Sequence, residues 1–199
     1  YDMQGNRQTI QKDVYGVNWL NYDGSAYVCL SQNADSITYD YLIVSNDRSV
    51  TIEGVYSASI SDDRSVIYLL ADYNAELELG TLYSLSVANL QKRELAKNVA
   101  FINPGGITDL TQGILYSTPG EMSGRYDINY VTSSGQIYTL ISDGFEQSLY
   151  TIYLNTQQQT GYIMMHGVSA DRHTLHYVEW SNGRIDDRKL DENVHELVY

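Results

Sequence analysis

Ile52-Glu53-Gly54-Val55 is a polar stretch closing on an apolar residue, and the chain writes that pattern five times. The other instances are Gln11-Lys12-Asp13-Val14, Ala96-Lys97-Asn98-Val99, Ser142-Asp143-Gly144-Phe145 and Asp191-Glu192-Asn193-Val194. Their end positions, 14, 55, 99, 145 and 194, lie 41, 44, 46 and 49 residues apart. A repeat of about 40–50 residues carrying four strands is the length of a β-propeller blade. Each interval supplies four strand candidates. From 56 to 99 they are Tyr56–Ile60, Ser65–Ala71, Thr81–Ala88 and Arg93–Val99. From 100 to 145 they are Gly106–Leu110, Gly113–Thr118, Tyr126–Thr132 and Gln136–Ile141. A sandwich has no reason to repeat four-strand units at such even spacing.

The neighbouring sequence agrees. Runs such as Tyr39–Val44, Ser65–Leu70, Gly135–Ile141 and Leu149–Leu154 have a period of two. Polar turn signals divide them: Asp23-Gly24, Ser45-Asn46-Asp47, Ser61-Asp62-Asp63, Ser133-Ser134-Gly135 and Ser181-Asn182-Gly183. The stretch nearest to a helical stripe, Ser86–Ala96, reads as two strands joined at Asn89-Leu90-Gln91. The fold class is therefore all-β, a propeller of four-stranded antiparallel blades.

Composition narrows the function classes. The chain has 199 residues, 43% of them hydrophobic, which argues against disorder. No apolar run approaches the roughly 20 residues of a membrane helix, so no membrane insertion is expected within the segment. Twelve Lys+Arg against 25 Asp+Glu leave a net charge of −13. Nucleic-acid backbones are bound mainly by Lys and Arg, so no nucleic-acid partner is expected. A single cysteine, Cys29, excludes an internal disulfide; its Ala26–Leu30 context reads as a small core residue. Nineteen Tyr stand against two Phe and two Trp. Tyr favours strands and packs its ring while its hydroxyl stays wet.

Two segments carry a resemblance. Ile60-Ser61-Asp62-Asp63-Arg64-Ser65-Val66-Ile67-Tyr68 and Ser169-Ala170-Asp171-Arg172-His173-Thr174-Leu175-His176-Tyr177 look like the strand–turn–strand element of bacterial TolB-like and YWTD-like β-propellers. Asn21–Tyr27 is similar and one residue shorter, and Leu82–Leu85 followed by Lys92–Leu95 resembles the outer hairpin. Thr111-Gln112-Gly113 replaces the Asp turn, and no intact Tyr-Trp-Thr-Asp run occurs. The resemblance implies the fold and carries no activity with it.

Four blades are expected, at 15–55, 56–99, 100–145 and 146–194, with partial blades at 1–14 and 195–199. Two arrangements stay open: terminal pieces sharing a fifth blade, or an arc of a six- to eight-bladed ring. The start at Tyr1, in mid-pattern, reads as a mature, truncated or excised segment.

Catalytic signatures are thin. No Gly-x-Ser-x-Gly elbow is present. His173 and His176 are three apart, which on a strand puts them on opposite faces, so no metal site is expected. The acidic pairs Asp62-Asp63, Asp186-Asp187 and Asp191-Glu192 match no calcium loop. Two-carboxylate glycoside chemistry would need acids on inner strands, where Asp109 and, at an entrance, Glu146 are what the sequence offers. Pro104-Gly105-Gly106 lacks the Lys and helix of a phosphate loop, and no cofactor is expected. The remaining candidates follow the blade ends: Tyr15, Tyr56, Phe101 and His195, with Trp19 one turn deeper. Either they converge at the channel mouth and contact a ligand, or they pack between blades. The loops Asp72–Gly80 and Gly120–Arg125 are the other location for a site.

The expected function is a non-catalytic binding or sensing propeller module of a bacterial extracytoplasmic protein. Its partner would be a protein, peptide or carbohydrate. None of the 13 Asn begins an Asn-x-Ser/Thr sequon, which disfavours a glycosylated ectodomain. The alternatives are a glycosidase-type or peptidase-associated propeller, or a purely structural assembly module.

Overall fold

The computed structural model describes residues 13–21, 23–32, 37–103, 106–108, 110–144, 150–166 and 173–194; at 106–108, 150, 166 and 193 it describes the backbone alone. The described residues form strands and turns, with no α-helix among them. The first antiparallel sheet holds β1 (Gly16–Trp19), β2 (Ala26–Gln32), β3 (Tyr39–Ser45) and β4 (Arg48–Val55). The second holds β5 (Ser57–Ile60), β6 (Val66–Asn74), β7 (Leu79–Ser86) and β8 (Lys92–Val99). The third joins β9 (Phe101–Ile102) to β11 (Gly113–Pro119), β12 (Tyr126–Thr132) and β13 (Ile137–Gly144). In the fourth, β14 (Tyr150–Asn155), β15 (Thr160–His166), β16 (His173–Ser181) and β17 (Arg184–Val194) are antiparallel, and β10 (Gly106–Thr108) adds to β14 in parallel.

Gly106–Leu110 was the expected inner strand of the third blade. The structure gives that position to Phe101–Ile102, which pairs with Ser117 and Tyr116, and sends 106–108 to the fourth sheet. Asn103, directly after Phe101–Ile102, adopts left-handed backbone with φ of 51°, which ends the inner strand before 106.

The register aligns the four sheets residue by residue. Ala26 faces Ser45, Val66 faces Ser86, Gly113 faces Thr132 and Thr160 faces Glu179. The second strands of the two middle sheets, β6 and β11, lie between neighbouring sheets, so both of their faces become apolar. On β6, Ile67, Leu69 and Ala71 join Val28, Ile43 and Val55 in one core cluster. The alternate residues Tyr68 and Leu70 join Val99, Ile114, Tyr116 and Val131 in the next. A third cluster joins Leu115, Tyr130 and Leu140 to Ile163, Val178 and Trp180. Each cluster lies between successive sheets. A fully buried side chain of this kind stabilises by roughly 1.5–3 kcal/mol.

The repeat that identified the blades also has a physical cause. Asp13, Gly54, Asn98 and Asp143 all adopt left-handed backbone, with φ of 56°, 64°, 55° and 49°. In each outer strand the register slips there: Tyr39 faces Val55 but Tyr41 faces Ile52, and Gly80 faces Val99 but Leu82 faces Ala96. These are β-bulges that turn the chain from one blade into the next. Gly, Asn and Asp are the residues that enter this region at least cost, which is why they recur before the closing residue. Asp40 and Asp127 accept the freed N–H groups of Gly54 and Asp143 at 3.0 and 2.8 Å. In the third blade the closing position is Gly144, not Phe145: Tyr126 faces Gly144. Gly113 is needed for another reason. A Cβ there would lie 2.3 Å from the Val131 carbonyl oxygen.

Candidate functional site

One end of the arc, here the upper end, carries the blade-to-blade connections. Tyr15 N–H donates to the Leu30 carbonyl, Tyr56 N–H to Leu70 and Ala100 N–H to Ser117, at 2.6, 2.8 and 2.9 Å. These bonds hold Tyr15, Tyr56 and Ala100 at one level of successive blades, and Phe101 follows one residue on, in register with Gly16 and Ser57. Each ring then has an aromatic partner in its own sheet. Tyr15 meets Tyr39 at 5.6 Å, Tyr56 stacks on Tyr73 at 3.9 Å and 5°, and Phe101 meets Tyr126 edge-on at 6.0 Å. Burial first, and Tyr56 second, push the Tyr73 hydroxyl up to about 12, so it stays neutral and can donate.

Trp19 is not one turn below this rim. It ends β1 at the opposite, lower end, against Tyr27 at 5.5 Å, and is 58% exposed. Its carbonyl accepts a bond from the Arg64 guanidinium at 3.3 Å. A cleft of about 600 Å³ there is lined by Val17, Trp19, Asn21, Asp23 and Arg64. The rings named from the sequence thus divide between two ends. His195, Asp109 and Glu146 lie outside the described residues.

The loops Asp72–Gly80 and Gly120–Arg125, read from the sequence as an alternative to the aromatic rim, lie together with Phe101. A groove of about 420 Å³ runs between the β6–β7 and β11–β12 loops, with Phe101 and Tyr126 among its lining. Leu77, Glu78, Glu121, Met122 and Arg125 complete it. Leu77 and Met122 are both largely exposed. Neither is a loose tip. Asn74 Oδ1 accepts the N–H groups of Glu76 and Leu77 at 2.9 and 3.0 Å. Asp143, the bulge residue, accepts the Met122 N–H at 3.0 Å, and the 120–125 loop closes on itself through Gly120 N–H to the Arg125 carbonyl at 2.8 Å. The aliphatic tips are held in place over an aromatic floor. The signal for this was the pair of loops themselves, each holding one large apolar residue among polar ones. Nearby, Tyr83 donates to Asp72 at 2.5 Å; that bond, then burial, raises its hydroxyl to about 12.

Other titratable groups are structural in their contacts. His176 Nδ1 lies 2.8 Å from Asp187 on the outer hairpin of the fourth sheet. Cys29 is buried, and burial raises its thiol. Among the described residues no three His, Cys, Asp or Glu side chains group as metal ligands. No helix among them is long and apolar enough to cross a membrane.

No protein-family model matches the chain, and no curated relative matches it. Solved structures do. A chain from a structural and mechanistic analysis of two prolyl endopeptidases matches with a TM-score of 0.54 at 12% identity, over 92% of this chain and 30% of that one. Pyrococcus horikoshii acylaminoacyl peptidase matches at 0.52 and 15%, over 85% of this chain and 31% of that one. The β-propeller domain of the Trilobed protease from Pyrococcus furiosus matches at 0.51 and 14%, over 85% and 54%. The fold is that of a β-propeller. The chain spans about a third of the peptidase chains and about half of that propeller domain.

Proposed function

We propose that this propeller segment is a binding module, and that the upper-end groove takes an extended segment of a protein or peptide partner. The observation that supports it is the pairing of a Phe101–Tyr126 floor with the backbone-pinned Leu77 and Met122. Exposed apolar tips cost nothing to order if the loop already holds them, and preorganisation of this kind favours affinity. The groove sits between Glu78 and Glu121 in a chain of net charge −13, so a segment with apolar side chains and Lys or Arg fits best. The module is non-catalytic in this reading. Its extracytoplasmic bacterial setting rests on the TolB-like and YWTD-like strand–turn–strand motifs alone.

A library of random 12-residue peptides displayed on phage supplies the probe. The expected outcome is enrichment of peptides joining basic and apolar residues, lost with Phe101→Ala or Met122→Ala by about 2 kcal/mol if these are hot spots. Enriched peptides that bind both variants as well as the parent would remove the groove from the account.

A second reading has its own observation: three of the solved chains that share the arc are peptidases or a protease's propeller domain. In that reading the same groove meets a catalytic domain of the same protein. Hydrolysis of a chromogenic peptide anilide by the natural gene product would favour it, and inactivity over a broad peptide panel would argue against it.

A further inference from the structure

The upper-end groove recurs one blade earlier. Counted from the aligned pairs Ala26–Ser45 and Val66–Ser86, Ile37 and Thr38 of the first blade stand where Glu78 and Leu79 stand in the second. Counted from Val66–Ser86 and Gly113–Thr132, Asp72 and Tyr73 of the second blade stand where Pro119 and Gly120 stand in the third. Glu78, Leu79, Pro119 and Gly120 line the Phe101 groove. Ile37, Thr38, Asp72 and Tyr73 line a second groove of about 310 Å³, together with Glu53. The β6–β7 loop is the wall between the two, with Asp72, Tyr73 and Ala75 on one side and Leu77, Glu78 and Leu79 on the other. The Asn74 side chain braces that wall through its bonds from the Glu76 and Leu77 N–H groups.

The two grooves differ in chemistry. In the Phe101 groove the exposed side chains of Leu77 and Met122 are apolar, and Arg125 offsets part of the charge of Glu78 and Glu121. The second groove carries Glu53 and Asp72, both exposed, and no Lys or Arg lines it among the described residues. Tyr73, stacked on Tyr56 at 3.9 Å, adds aromatic surface, which also attracts a cation. The Tyr83 hydroxyl, donating at 2.5 Å, holds the Asp72 carboxylate in place.

We propose that the partner segment is bipartite: an apolar side chain seats against Leu77, Met122 and Phe101, and a Lys or Arg of the same segment seats against Glu53, Asp72 and Tyr73. This rests on the peptide reading of the Phe101 groove and adds a second anchor with its charge and spacing. Packed sheets lie about 10 Å apart and extended chain rises about 3.3 Å per residue, so the two anchors stand about three or four residues apart. Once the apolar anchor is seated, the basic one binds intramolecularly, which strengthens the whole.

The same phage library tests it, selected on the natural gene product and on its Glu53→Gln/Asp72→Asn double variant. Asn still accepts the Tyr83 bond and tolerates the left-handed backbone at position 72, where φ is 51°, so the fold is retained. Selection on the parent is expected to fix a Lys or Arg at one constant spacing from an apolar position. Selection on the double variant is expected to keep the apolar position and lose the basic one. By fluorescence anisotropy, the best parent peptide should bind the double variant about tenfold more weakly, the worth of two exposed ion pairs. A basic position equally enriched on the double variant, or equal binding to both proteins, would overturn the second anchor while the Phe101 groove stands. Parent peptides that also bind Met122→Ala and Phe101→Ala undiminished would remove both.

Discussion

Ile67 illustrates what single residues contribute. It lies in the cluster between the first two sheets, almost wholly buried. Ile67→Ala should cost about 2–5 kcal/mol by urea denaturation, and a near-neutral result would mean that the first two sheets do not pack together through β6. Val55, Leu69, Leu85, Val99, Ile114, Tyr116, Leu140 and Val178 are buried with it. Core membership was legible because a strand between two blades is apolar on both faces, so no choice of face was needed. Trp19 was not legible in the same way. Its level depends on which way β1 runs, and four residues of strand separate the two ends of the arc.

Asp63 shows a polar residue at work in a turn. Its carboxylate accepts bonds from Ser61 Oγ at 2.7 Å and from the Ser65 N–H at 3.0 Å, and these hold its pKa below the usual carboxylate value, the Ser61 bond most. A lowered folded-state pKa gives stability that is present above the unfolded pKa and lost as pH falls through the folded one. Asp63→Ala should cost about 1 kcal/mol at neutral pH, and the difference from the parent should shrink from about pH 5 down to pH 2. Thermal melts across that range check it. A difference that grows towards acid would have the wrong sign.

At the scale of the element, the bulge before each blade end is the device that makes a repeat out of separate sheets. Gly54 isolates its cost, since a Cβ there would meet nothing within 4 Å while φ stays at 64°. Gly54→Ala should therefore destabilise through backbone strain alone, by roughly 1–2 kcal/mol. Gly54→Asn should cost less, because Asn enters the left-handed region more readily. Equal losses for both, measured in urea, would point to packing instead. The bulge residues were legible as a recurring Asp, Gly or Asn. Their exact place was not legible in Ser142-Asp143-Gly144-Phe145, where two adjacent residues both suit left-handed backbone and the structure uses Asp143. The third inner strand was misplaced for a related reason. Gly106–Leu110 has strand composition, but the left-handed turn at Asn103 ends the inner strand before it, and 106–108 pair with β14 in the neighbouring sheet.

At the scale of the whole molecule, the repeat spacing predicted sheets rather than helices, and the four sheets follow one another along the chain as blades do. The groove at the upper end was the least legible feature. It depends on loops from two blades, 75–78 and 120–125, coming side by side, and nothing local in either sequence states that they are neighbours. Circular dichroism gives a coarse check: helix above about a fifth would contradict an all-β arc. The more direct measurement reads contact between blades. Trp180 lies on the fourth sheet, while Tyr130 and Tyr138 lie on the third, with ring centres 5.6 and 6.4 Å from it. Nuclear Overhauser spectra of the labelled chain should show cross-peaks from the Trp180 indole to both tyrosine rings, joining sheets about 45 residues apart, one blade repeat. A Trp180 indole with no cross-peak to either ring would contradict the packing of successive blades on which the fold and the groove both depend.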